Sequence, residues 1–324
     1  MKPIFWSPSR YDTANLCLMK YYFQYVMTPR LKITTPIQAL GGFLHRRKEN
    51  LFKGKSGHLE LRYKSAESYA NSAIGVWKHK IIREGGFDGK KILWEYDGQK
   101  WAFINEIEDL CIKTYNACAK EEPPLHIELP IKFQLNGVGY NVRIDEIRKN
   151  LTIREYKTGR SLPSEFQLKH FPQFTFYALA LCCLISQDKN FAETCDISEE
   201  ERRSFGGNPV YISEKVNLEY YNVKEDFLLP VTHRRNQDYL ELEHNIKSLE
   251  KIINNLEENI FAYVGRHCRF CQFKMPCDEK ISKGEFYGIN LNPQLKLFKI
   301  ISKPKYSDKT LSLFPRRKKL ANSL

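Results

Sequence analysis

The sequence predicts an α/β fold in which a mixed central sheet is flanked by helices and a helical insertion precedes the sheet. Two observations carry this. Apolar positions recur with helical spacing up to about residue 120 and again over about 164–187 and 236–261, whereas over roughly 126–158 they alternate. A chain of 324 residues, 42% hydrophobic and 27% charged, also has enough apolar material for one large domain or two ordinary ones.

Residues 7–27 read as a helix that Ser7 or Ser9 can cap, with Leu16, Met19, Tyr22, Phe23 and Val26 at helical spacing. A second helix over 36–53 carries Gly41, Gly42 and His45, and helices over 64–84 and 100–120 are separated by the Gly-rich turn EGGFDGKK. HIELPIKFQL then alternates, NG makes a hairpin turn, VGYNVRIDEI alternates again, and KN leads into LTIREYKTG, a three-stranded meander over 126–158. A helix over 164–187 follows, then strands over 209–217 and near 228–232, a long polar helix over 236–261 and a cysteine-rich loop over 266–279. The last 40 residues are Lys-rich and Pro-punctuated, the pattern of a partly ordered tail. No repeat of domain scale is visible. The expected segments are 1–53, N-terminal helices; 54–124, the helical insertion; 125–265, the core; 266–284, the cysteine-rich segment; and 285–324, the basic tail.

The net charge of +13 favours a polyanionic partner, of which nucleic acid is the commonest. No apolar run approaches the roughly 18 residues of a membrane span, and the opening MKPIFWSPSR lacks the apolar core of a signal peptide, so an intracellular, cytoplasmic setting is expected. The 9 cysteines then argue against a disulfide framework, and Cys111, Cys118, Cys182, Cys183 and Cys195 read as core or incidental thiols.

The stretch RIDEIRKNLTIREYKTGR concentrates the chemistry. If its second half is a strand, Leu151, Ile153, Glu155 and Lys157 share one face, so an apolar face ends in a carboxylate and an ammonium. Asp145 ends the preceding strand, and an antiparallel neighbour can bring it close to Glu155. Two carboxylates at one site repel unless a divalent cation lies between them, and hard oxygen ligands suit Mg²⁺ or Mn²⁺. Lys157 can then position a water for attack on a phosphodiester.

Asp145, Glu155-Tyr156-Lys157 and the following Thr-Gly together resemble the PD-(D/E)XK nuclease superfamily. Two more strings, with YKTG directly after Arg154-Glu155, are similar to its RecB-like branch, which includes CRISPR-associated, AddB C-terminal and exonuclease V types. GGFLHRRKE resembles the helix that presents a histidine to the metal, which implies His45 as a ligand beside Asp145, Glu155 and the Tyr156 backbone carbonyl. FPQFTFYALAL resembles the Q-x-x-x-Y helix that borders the active site, which implies Gln173 and Tyr177 as substrate-binding residues. Val142 stands where the family often has glycine. The resemblance implies a restriction-endonuclease-like core.

HCRFCQFKMPC places Cys268, Cys271 and Cys277 in C-x2-C-x5-C spacing, and three thiolates need a fourth ligand for a closed site. NLCLMKYYFQY resembles the N-terminal C-P-x-x-Y-x-F helix of iron–sulfur RecB-like nucleases, with Leu18 in place of the proline. That implies Cys17 as the fourth ligand of a [4Fe–4S] cluster and a clasp joining the two ends of the nuclease. The bare spacing also permits a structural Zn²⁺ site, to which His267 could contribute.

In the tail, QLKLF (Gln294, Leu295, Leu297, Phe298) and TLSLF (Leu311, Leu313, Phe314) resemble the bacterial sliding-clamp-binding pentapeptide, and PRRKK at 315–319 adds a basic patch. The resemblance to the RecB-like branch implies exonuclease action on single-stranded DNA ends in repair or recombination, and its free-standing iron–sulfur relatives favour 5′→3′ polarity. CRISPR spacer processing, an RNA-directed nuclease and a non-catalytic scaffold for a helicase or clamp complex are the alternatives. No G-x-x-x-x-G-K-[ST] loop is present, so unwinding would need a helicase partner.

Overall fold

The structure is a computed structural model that describes residues 4–55, 58–94, 98–159, 162–204, 215–255, 261–283, 287–292 and 297–300, with the backbone alone at 55, 204, 261–264, 287–292 and 297–300. The chain opens with β1 (Phe5–Trp6), α1 (Pro8–Leu16), α2 (Leu18–Tyr21), a wide π turn over Tyr22–Val26, β2 (Ile33–Thr34) and α3 (Pro36–Glu49). Short strands β3 (Phe52–Lys55) and β4 (His58–Leu61) precede α4 (Ala66–Val76), a second π turn, β5 (Gly86–Phe87), β6 (Lys90–Ile92) and α5 (Gln99–Ala119). The meander is β7 (His126–Leu135), β8 (Val138–Arg148) and β9 (Thr152–Lys157). Then come α6 (Glu165–Lys169), α7 (Pro172–Gln187), α8 (Lys189–Thr194), α9 (Glu199–Ser204), β10 (Asn217–Asn222), β11 (Phe227–Val231) and α10 (Asn236–Asn254). The last elements are β12 (Phe261–Val264), a 3₁₀ turn over Arg266–Phe270, α11 (Lys274–Ser282), β13 (Tyr287–Asn292) and β14 (Leu297–Ile300).

Contacts divide the chain into two compact units, Met1–Ser9 with Thr34–Ile246, and Arg10–Ile33 with Lys247–Leu324. The first is built on a six-stranded sheet ordered β1-β8-β9-β10-β11, with β7 on the other side of β8. It is mixed: β7–β8, β8–β9 and β10–β11 are antiparallel, whereas β1–β8 and β9–β10 are parallel. Asn136 (φ +51°) and Gly137 (φ +80°) make the left-handed two-residue turn that closes β7 onto β8. At Gly139 a side chain would press on Ile4 and Phe5, so the missing Cβ lets β1 lie against β8.

Every residue of α7 from Phe174 to Cys183 is buried, which explains why its apolarity runs all round instead of forming a stripe. By length and composition Glu165–Gln187 could cross a membrane, but 67% of its apolar window is buried inside the protein, where α7 packs against β7, β8, α8 and α9. Beside the sheet, α3, α4 and α5 pack around Phe43, Leu44, Tyr69, Trp77, Ile107 and Leu110 in a core that also takes in Tyr156 and Tyr221. Cys111, Cys118, Cys182, Cys183 and Cys195 are buried, and none is in a disulfide.

In the second unit the helix expected over 7–27 breaks at Cys17, whose backbone is extended (φ −165°, ψ 115°). Phe23 stacks on Phe273 at 5.5 Å, and both rings are buried. The cysteine-rich stretch is helical, a 3₁₀ turn followed by α11, where a loop was expected. β12 pairs parallel with β13, and β13 antiparallel with β14.

Other departures have local causes. The helix expected over 36–53 ends at Glu49, where Asn50 caps it and the chain turns into β3. The helix expected over 164–187 is two helices, because Pro172 cannot donate to the preceding turn and holds Phe171 extended (ψ 107°). The strand expected over 209–217 falls mostly outside the described residues, and the observed strand starts at Asn217. The long polar helix expected to 261 is described to Asn254, and Phe261 opens β12. Leu151 sits in the β8–β9 turn with φ +52°, outside the face it was expected to share with Ile153.

Candidate active site

Asp145 lies inside β8 and not at its end, at the point where β8 and β9 part. The ladder stops at Glu146 opposite Arg154. One residue further on, the Asp145 Oδ2 accepts the Tyr156 backbone N–H at 3.0 Å, so the side chain replaces the missing ladder bond. Glu155 precedes Tyr156 and is 1% exposed. Both strand faces are covered here, since Ile153 to Tyr156 are all buried.

α3 brings the histidine. Thr35 and Gln38 form a capping box, with Pro36 at the first helical position, so the helix start is fixed by sequence. Two and a half turns later, His45 Nδ1 lies 3.6 Å from Asp145 Oδ2 and 2.9 Å from Glu128 Oε1. Burial opposes charging the imidazole, but the fields of Asp145 and Glu128 and the Glu128 hydrogen bond outweigh it, and its pKa rises to about 9.

The sequence reading did not single out Glu128. It occupies β7 directly across from Asp145, has φ +50° and is 8% exposed. The signal was available, since the NG turn pairs Leu135 with Val138, and counting back from that pair sets Glu128 against Asp145. Among the described residues, His45, Glu128 and Asp145 form the group whose ligand atoms all lie within 4.8 Å of one another.

Lys157, Glu155, Gln173 and Tyr177 form the other half of the site. The Lys157 ammonium contacts Glu155 Oε1 and donates to Gln173 Oε1 at 3.1 Å. Gln173 Nε2 donates to Glu155 Oε1 at 2.8 Å and to the Tyr177 hydroxyl at 2.6 Å. Burial and the nearby Asp145 push the Glu155 carboxyl up, against the pull of Lys157 and His45. Its second oxygen, Oε2, is buried with no hydrogen-bond partner. A buried carboxylate oxygen without a donor is costly, and a cation is what such an oxygen would satisfy. The donor set of imidazole and carboxylates around this orphaned oxygen therefore fits a hard divalent ion. The structure thus brings together all of His45, Asp145, Glu155, Lys157, Gln173 and Tyr177.

Cys17, Cys268, Cys271 and Cys277 all belong to the second unit. Burial raises the Cys277 thiol to about 12, with Cys17, Cys271 and Cys268 close enough to add to the shift. Burial also raises Cys271, opposed by a hydrogen bond from the Phe273 backbone N–H to its sulfur. The Gly265 backbone N–H donates to Cys268 Sγ at 3.4 Å. Amides aimed at sulfurs suit thiolate ligands, so these residues fit a soft metal or cluster. His267 Nε2 is buried without a partner. Of the tail motifs, Gln294, Leu295, Leu311, Leu313, Phe314 and PRRKK at 315–319 lie outside the described residues, and Leu297 and Phe298 contribute backbone to β14.

A search of curated proteins found no match. A family model does match, over residues 5–278, a span that runs from β1 into α11 and takes in both halves of the site. The chain belongs to the PD-(D/E)XK nuclease superfamily, and with it comes metal-dependent phosphodiester hydrolysis.

Proposed function

We propose that this protein is a DNA exonuclease acting on single-stranded ends, with 5′→3′ polarity favoured, in repair or recombination. The observation that carries the reading is the convergence of His45, Asp145 and Glu155 beside Lys157 at the parting of β8 and β9. In this reading His45, Asp145, Glu155 and the Tyr156 carbonyl hold Mg²⁺ or Mn²⁺, and Glu128 joins or orients them. When bound, the ion lowers the pKa of a water and offsets charge that builds on the scissile phosphate. Lys157 orients the attacking water and Gln173 fixes the Lys157 ammonium by accepting a hydrogen bond from it at 3.1 Å. Tyr177, joined to Gln173, holds that amide in place. The net charge of +13 supports a nucleic-acid substrate.

The exonuclease and pathway parts rest on the resemblance of GGFLHRRKE, FPQFTFYALAL and YKTG to the RecB-like branch, and the polarity on its iron–sulfur relatives. The same branch, together with the amide–sulfur bonds, supports a [4Fe–4S] cluster on Cys17, Cys268, Cys271 and Cys277 with a structural role. Clamp binding rests on QLKLF and TLSLF alone. The test is cleavage of end-labelled single-stranded DNA with Mg²⁺ or Mn²⁺ by anaerobically purified wild type beside Lys157→Ala. Products from the wild type only are expected, and the label reports polarity. An inactive wild type that still binds DNA would instead favour the scaffold role.

A further inference from the structure

We infer that the cleft beside Lys157 is a stacking subsite that takes one unpaired nucleobase of the strand being cut, so that α6 sets the preference for single-stranded substrate. The inference deepens the nuclease reading and rests on it.

The cleft measures about 610 Å³ and is walled by Lys157, Leu162, Phe166, His170, Phe171 and Tyr220. That volume lies in the range of small-ligand sites. Its walls combine rings with a single cation. Phe166 is 72% exposed and Leu162 44% exposed, so both leave apolar surface open to the cleft. Phe166 and His170 lie one helical turn apart with ring centroids at 4.6 Å, tilted by 53°. The Lys157 ammonium stands 5.8 Å from the Phe171 centroid.

The backbone that carries the rings is held in place. Ser164 and Gln167 form a capping box at the start of α6. At its end the Arg234 guanidinium, 1% exposed, donates to the carbonyls of Lys169 (2.8 Å), Leu168 (3.1 Å) and Phe171 (3.1 Å). A buried cation spent on three carbonyls of one joint fixes the α6–α7 corner, and with it His170 and Phe171.

The occupant follows from continuity and charge. Lys157 is both a wall of the cleft and a member of the carboxylate site, so a strand cut there carries a neighbouring nucleotide into the cleft. A nucleotide offers an apolar ring face to Phe166 and His170, and an anionic phosphate to Lys157. Aromatic rings stack on any base, but in a duplex both faces of each internal base are already covered.

The experiment has a binding arm and a cleavage arm. In Ca²⁺, single strands carrying one 2-aminopurine at successive positions from the end are titrated with wild type, Phe166→Ala and Phe166→Tyr. Quenching at one position is expected with wild type, absent with Phe166→Ala and restored with Phe166→Tyr; the exposure of Phe166 keeps the truncation from disturbing the core. In Mg²⁺, one abasic nucleotide at that same position should slow wild-type cleavage roughly tenfold. Phe166→Ala should be slowed by a similar factor and be indifferent to the abasic nucleotide. Wild type indifferent to the abasic nucleotide at every position, or Phe166→Ala with unchanged quenching, overturns the subsite. Absence of metal-dependent products from wild type on any strand overturns the nuclease reading instead, and the binding arm then decides the subsite alone.

Discussion

Glu128 stands opposite Asp145 across the β7–β8 ladder, between the paired residues Ile127–Glu146 and Leu129–Ile144, at a backbone φ of +50°. Both carboxylates reach the same ring, Glu128 Oε1 at 2.9 Å and Asp145 Oδ2 at 3.6 Å from His45 Nδ1, so the fold holds two carboxylates against one imidazole. Glu128→Gln keeps the shape and the hydrogen bond to His45 but removes the charge. The metal concentration for half-maximal cleavage should rise about 10–100-fold, with a smaller change in saturated rate. Mn²⁺ titration calorimetry reads the same loss directly. An unchanged Mn²⁺ affinity would remove Glu128 from the metal site.

The Gln173 amide bridges two charged side chains of β9, since it accepts from Lys157 and donates to Glu155. Lys157→Ala should lower cleavage by about 10²–10⁴-fold, with a far smaller loss of strand binding in Ca²⁺, about tenfold or less, from the phosphate contact. Gln173→Ala should cost less, roughly tenfold, because Lys157 keeps its contact with Glu155. Single-turnover rates beside Ca²⁺ binding isotherms separate the two effects. Equal losses of binding and cleavage in Lys157→Ala would mean that Lys157 holds substrate and leaves the water alone.

How far the site is legible in the sequence differs by residue. Asp145, Glu155 and Lys157 can be read from a hairpin register and an alternation, both local rules, and the structure places them together at one strand parting. Glu128 obeys the same register, but an acidic residue in a strand carries no signal until its partner is known. The break before α7 was written in Pro172, and the apolar stretch around it masked the signal. The break at Cys17 has no such mark, because nothing in its neighbours forbids a helix, and the extended backbone there is set within the packed unit. The charge network behind the sheet is also non-local. Lys48 meets Glu146 at 2.7 Å and the Tyr156 ring at 2.9 Å from its centroid, across nearly a hundred residues of chain.

That network predicts a stability effect. Lys48 and Glu146 side chains are 4% and 1% exposed, so Lys48→Met leaves a buried carboxylate with Arg148 as its one remaining close cation and should cost about 3 kcal/mol, the low end for a broken buried pair. Urea denaturation in EDTA measures it without metal linkage. Burial alone would raise the Glu146 carboxyl, but Lys48 and Arg148 outweigh it and hold it at about 2 against an ordinary 4.5. A lowered folded-state pKa stabilises above the unfolded value and is lost as pH falls through the folded one. Wild-type stability from this group should therefore be full above about pH 5 and decline between pH 4.5 and 2, whereas Lys48→Met should begin to lose it at higher pH. A Lys48→Met protein as stable as wild type at pH 7 would contradict the pairing.

The cysteines of the second unit allow the sharpest separation of metal identities. In the metal-free fold burial raises Cys277 to about 12 and raises Cys271, so both thiols stay protonated at neutral pH, and binding a metal there must release protons. Anaerobic wild type should contain about four iron atoms and as many acid-labile sulfides per chain, with visible absorption, if the site holds a [4Fe–4S] cluster. A zinc site would give about one Zn²⁺, no colour and no sulfide. Cys271→Ser should lose most of the bound metal and lower the melting temperature of the protein. Cys111→Ser should keep the bound metal, because Cys111 sits in the core around Tyr69 and Trp77, in the other unit, and any fall in its melting temperature comes from the buried hydroxyl alone. Metal at trace level in anaerobic wild type, with Cys271→Ser melting as wild type does, would mean that these thiols pack as ordinary side chains and hold no metal.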